Sequence, residues 1–120
     1  MDNNILKERS FEFAIRIVKL IKYLQEEKKE FVLSKQLLRS GTAIGALVSE
    51  AQFGQSRADF LSKLYIALKE ANESVYWIEL LHATEYLNES QFQSINADSK
   101  GILALLISIT KTIKQKNEKK

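Results

Sequence analysis

The chain has 120 residues, with 18 Lys/Arg against 15 Asp/Glu for a formal charge of +3, no cysteine and no proline. Disulfides, thiolate nucleophiles and cysteine zinc sites are therefore excluded, and a chain of this length reads as one domain, residues 1–120. Proline is expelled from helix interiors, so a proline-free chain rich in Leu, Ile, Ala, Lys and Glu points to an all-α protein.

The first helix is predicted over residues 10–27, with Ser10 as its N-cap. The polar run Glu26-Glu27-Lys28-Lys29-Glu30 covers its end and the following turn. The second helix is predicted over residues 33–52, closed by Gly54 in a left-handed conformation. The third starts after Ser56, which stands to Asp59 as an N-cap to its reciprocal partner, and reaches about residue 86. Asn88 caps the fourth, with Gln91 three residues on, and that helix runs to about residue 116. Its stripe Ile95, Ile102, Leu106, Ile109, Ile113 keeps one helical phase through Gly101, which argues for a single continuous element. Short connections favour antiparallel neighbours, hence an up-down four-helix bundle.

The first and third helices carry more apolar surface than a lone bundle hides. At ~100° per residue the first helix spreads Phe11, Phe13, Ala14, Ile15, Ile17, Val18, Leu20, Ile21 and Leu24 over an arc of about 220°. The third directs Phe60, Leu64, Leu68, Ala71, Val75 and Ile78 inward, and sets Ile66, Trp77 and Leu80 on the other side near Glu70 and Glu73. Excess apolar surface marks an interface, and Trp is a favoured anchor. Phe11, Ile15, Ile66, Trp77 and Leu80 are therefore expected to join copies of the chain. Gly41 and Gly45 share one face of the second helix. Interior glycine costs roughly 1 kcal/mol against Ala, which close approach of another backbone can offset.

Chemistry is sparse. His82 is the only histidine. Glu79 precedes it by three, but a di-iron bundle needs two such pairs, so His82 reads as a structural imidazole. Gly54-Gln55-Ser56-Arg57 lacks the lysine of a phosphate-binding loop, and no serine has a visible base. No enzyme activity, cofactor or metal is expected. The N-terminus carries no signal-peptide pattern and the longest apolar run, residues 101–109, falls far short of the roughly 20 residues of a membrane span, so a cytoplasmic protein is expected.

The charge is uneven. Residues 1–40 hold nine Lys/Arg against six Asp/Glu, residues 41–100 four against eight, and residues 101–120 five against one. Arg9, Arg16 and Lys19 share a face with Tyr23, and Lys111 and Lys114 project from the fourth helix, with Lys116, Lys119 and Lys120 behind them. These cations could meet phosphates, and the aromatic could stack on a base. The same residues also suit a plain solvated surface, with Glu12 able to neutralise Arg16 four residues on.

Residues 34–46 (SKQLLRSGTAIGA), then Ser49-Glu50-Ala51, Phe60-Leu61 and Ile66-Ala67-Leu68-Lys69-Glu70-Ala71 resemble the family of proteins encoded in 23S rRNA intervening sequences. That family includes the accessory variability proteins of diversity-generating retroelements. Ser10-Phe11-Glu12-Phe13-Ala14 and Tyr76-Trp77 extend the similarity over nearly the whole chain. The resemblance implies an antiparallel four-helix bundle assembled as a homopentameric, barrel-like ring. Its retroelement members are similar to nucleic-acid-binding partners of a reverse transcriptase. The chain departs from the family at Leu47, where Asn is common. Two functions follow as expectations: a non-enzymatic homo-oligomeric accessory binder of RNA, DNA or ribonucleoprotein, and a scaffold that docks another protein.

Overall fold

The computed structural model describes residues 3–118, with side chains for residues 5–116; Lys119 and Lys120 of the basic tail lie outside the described residues. Four helices follow one another: α1 (Asn3–Glu26), α2 (Leu33–Ala51), α3 (Arg57–Ala83) and α4 (Glu89–Glu118). Each packs against its neighbours in sequence, and α4 returns to α1 along a thinner seam; α1 and α3 are diagonal, as are α2 and α4. The result is the antiparallel up-down four-helix bundle that the periodicity predicts.

Helix α1 begins a full two turns before the predicted start. Leu6, Ser10, Phe13, Ile17, Ile21 and Leu24 are all buried, and their spacing keeps one face inward, so nothing breaks the helix at residue 10. Ser10 is not an N-cap. Its hydroxyl donates to the Lys7 carbonyl from within the helix. At the other end α3 stops at Ala83, where Thr84 Oγ1 donates to the Leu80 carbonyl and Glu85 turns left-handed. The fourth helix behaves as expected: the Asn88 side chain accepts from the Gln91 N–H at 2.8 Å and the Gln91 side chain accepts from the Asn88 N–H at 2.9 Å. At α3 only half of the box forms, with the Asp59 N–H donating to Ser56 Oγ.

Gly54 does not take the left-handed conformation; among the described residues the positive-φ positions are Lys29 and Glu85. The need for glycine is steric. A Cβ there would stand 3.2 Å from both the Ala51 carbonyl oxygen and the Phe60 nitrogen. Gly41 and Gly45 serve the close approach anticipated for them. A Cβ on Gly41 would meet Ile17 at 2.9 Å, and one on Gly45 would meet the Ser10 carbonyl oxygen at 3.3 Å.

The start of α2 is held by a residue the sequence did not single out. Glu30 is 6% exposed, and its carboxylate accepts from the N–H groups of Val32, Leu33 and Ser34 at 3.1, 2.9 and 2.7 Å. Three of the donors that a helix start leaves without partners are thereby satisfied. Burial pushes the Glu30 carboxyl upward, but the three N–H groups outweigh it and hold the group below its usual range. The core is mainly aliphatic, with Leu37, Ile44, Leu64, Ile78, Leu81, Ile102 and Leu106 shut from water around the ring of Phe13. Leu47 packs half-buried against that core.

Candidate functional site

The basic residues expected to act together divide into two groups. Arg9 and Arg16 lie on the α1–α4 seam. Arg16 pairs with Asp98 and donates to the Ser94 carbonyl and hydroxyl, all on α4. Its carboxylate partner is thus Asp98 across the seam, not Glu12 along the helix. Arg9 lies over the α4 backbone, its guanidinium 2.8 Å from where a Cβ on Gly101 would be. Between them sits a cavity of about 60 Å³ lined by Arg9, Glu12, Phe13, Asp98 and Ile102, large enough for ordered water. Seam arginines in this setting fasten two helices, and an exposed pair of this kind contributes about 0–1 kcal/mol.

Lys19, Lys111 and Lys114 are exposed and make no ion pair with the described residues. Lys19 borders an open groove of about 490 Å³ with Arg16, Ser90, Gln91 and Ser94. Lys111 and Lys114 belong to the other end of the molecule. Lys111 lies ten residues past Gly101, or about 15 Å along the helix axis, and on the flank of α4 turned to α3. The basic residues of α1 and those of α4 therefore do not form one patch within a single chain.

The apolar residues also form two faces. Phe11, Ile15 and Val18 are exposed on α1, Phe11 by 66%, and with Ala14, Lys19 and Lys22 they border a shallow depression. On α3, Ile66, Tyr65 and Tyr76 are exposed. Trp77 and Leu80 are half-buried. The Trp77 indole N–H donates to Glu73 Oε2 at 3.0 Å, and its ring meets Tyr76 edge-on at 5.0 Å. Arg39 of α2 bridges to Glu73 and, at 3.2 Å, to Glu70. The indole N–H, with help from Arg39 and against partial burial, lowers the Glu73 carboxyl from its ordinary value. Val18 belongs to the apolar arc predicted for the first helix but was not among the expected contact residues, and Tyr65 and Tyr76 were missed, although their place on the helical wheel could have found them.

His82 stacks on Phe92 with ring centroids 4.0 Å apart, and its Nε2 meets Glu89 at 3.1 Å. The Gln93 amide, then the imidazole, lower the Glu89 carboxyl despite the opposing effect of desolvation. The imidazole is thus a clasp between the end of α3 and the start of α4. Among the described residues no three of His, Cys, Asp and Glu gather as a metal site, and no helix is long and apolar enough to cross a membrane.

The model of the 23S rRNA-intervening sequence protein family matches residues 2–108. A crystal structure of a protein of unknown function from the S23 ribosomal protein family of Bacteroides thetaiotaomicron is 61% identical to this chain. It superposes with a TM-score of 0.90, covering 92% of this chain and 99% of the other. No curated protein matches.

Proposed function

This chain belongs to the 23S rRNA-intervening sequence protein family, and from that premise we propose that it is a homo-oligomeric accessory protein that binds nucleic acid or a ribonucleoprotein and catalyses no reaction. The observation that carries the proposal is the pair of exposed apolar faces on diagonal helices: Phe11 and Ile15 on α1, Ile66 and its half-buried neighbours Trp77 and Leu80 on α3. A two-fold contact matches one patch with itself. Two different patches on opposite sides match head to tail, and such contacts close into rings or run on as filaments. The resemblance to the accessory variability proteins of diversity-generating retroelements supports a ring of five. Repetition around that ring multiplies Lys19, Lys111 and Lys114 and strengthens a field that is mild in one copy.

Light scattering on Phe11→Asp and Ile66→Asp tests the arrangement. Each variant alone should be a monomer with unchanged helicity. Mixed in equal amounts they should form dimers and stop there, because each supplies the intact face that the other lacks. A mixture that remains monomeric would refute head-to-tail pairing. Binding is tested by titrating labelled RNA and DNA at roughly 50 and 200 mM salt. A ring making 6–10 phosphate contacts should lose about 10³–10⁵ in affinity over that range. Affinity that ignores salt, or none at low salt, would refute the nucleic-acid role.

A further inference from the structure

We propose that a single-stranded polynucleotide docks on the end of the bundle formed by the α2–α3 connection, the first turn of α3 and the last turns of α4. Phe53 stacks there on a base while Lys114 and Lys116 meet phosphates. The inference rests on the nucleic-acid reading above and names the surface that performs it.

Phe53 is 84% exposed, more than any other large hydrophobic residue described. It does not sit on a slack loop. The N–H groups of Gln52, Phe53 and Gly54 donate to the carbonyls of Ser49, Glu50 and Ala51 at 3.2, 3.0 and 3.1 Å. Gly54 is wedged so tightly that a Cβ would press on Ala51, Asp59 and Phe60. A fixed turn therefore holds an aromatic ring in water, an arrangement that burial by a partner would relieve.

The surrounding charge identifies the partner. Across the first turn of α3 a cavity of about 120 Å³ is lined by Arg57, Phe60, Ile113 and Lys116, placing a second aromatic edge beside cations. Lys111, Lys114 and Lys116 are exposed and make no ion pair with the described residues. Of the carboxylates lining the Phe53 groove, Glu50 is held by Lys63 at 3.1 Å, which leaves Asp59. An exposed ring at a cationic end suits a strand whose bases are free to stack and whose phosphates track the lysines. In a duplex the bases are already stacked on each other, so Phe53 has nothing to add.

The test is fluorescence anisotropy with labelled oligouridylate and oligothymidylate of about 12 nucleotides and an RNA duplex of equal length. The proteins are the wild type, Phe53→Ser, Lys114→Gln/Lys116→Gln and Lys35→Gln. Phe53→Ser should weaken single-strand binding about 5- to 150-fold, with no change in the salt slope, in duplex binding or in native mass. The double lysine variant should flatten the slope of log affinity against log salt by about 0.7 per lost contact, whereas Lys35→Gln, at an exposed position near the start of α2 and so at the opposite end of the bundle, should not. Undiminished single-strand binding by Phe53→Ser, or a native mass altered by it (a second copy covering the ring), overturns the proposal while leaving the nucleic-acid reading in place. A wild type that binds none of the three probes overturns both.

Discussion

Replacing Glu30 should weaken the start of α2 in a pH-dependent way. The carboxylate is buried and accepts from three consecutive N–H groups. Loss of an N-capping side chain costs about 0.5–2 kcal/mol, and three buried donors left without an acceptor put Glu30→Ala at the upper end, about 2 kcal/mol. Glu30→Gln keeps a carbonyl oxygen but not the charge, so about 1 kcal/mol is expected. Because the folded-state pKa is lowered, the stabilisation is complete above the unfolded-state pKa of about 4.3 and is lost as pH falls through the folded value. Urea unfolding followed by circular dichroism, stepped from about pH 7 to about pH 3, measures this for the wild type and Glu30→Gln. The stability gap should be full at neutral pH and narrow as pH falls below the unfolded-state value. Glu73 and Glu89 are lowered as well, but both proteins carry them, so they cancel in the difference. A gap that persists unchanged in acid would show that Glu30 acts by shape and not by charge.

Leu64→Ala removes a side chain with no exposed surface and should cost about 2–5 kcal/mol in urea unfolding. Gly45→Val adds carbons against the Ser10 backbone, already 3.3 Å from a Cβ. Forced separation of α1 from α2 should cost about 1–3 kcal/mol, read as a lower thermal midpoint. Arg16→Ala breaks the exposed seam pair, so a double-mutant cycle with Asp98→Ala should yield a coupling of only about 0.2–1 kcal/mol.

Helix number, order and continuity were legible because they rest on hydrophobic phase, which survives from sequence to structure. Gly101 shows this: the phase of Ile95, Ile102 and Leu106 runs through it, and the helix does too. Gly41 and Gly45 were legible for the same reason, as small residues repeated on one face. Local end signals misled where longer-range packing decided. Ser10 looked like a cap but is held inside α1 by burial of Leu6 beyond it. Gly54 looked like a left-handed stop but answers a contact with Phe60 across the turn. Glu30 escaped notice because a capping carboxylate placed before the turn, two to four residues from its donors, has no fixed spacing. The site was less legible than the fold. Wheel angles located the apolar faces but could not reveal that Asp98, eighty-two residues from Arg16, would claim that arginine.

The thin α1–α4 seam bears on how the molecule comes into being. Every extensive contact joins helices consecutive in sequence, so few long loops need closing, and helical bundles of low contact order fold in microseconds to milliseconds. During synthesis the first three helices can assemble as soon as they emerge, while the strip destined for Ile95, Ile102, Leu106 and Ile113 stays uncovered. The vulnerable interval for clumping of nascent chains is thus the translation of residues 84–118, and it ends when the last helix lies down.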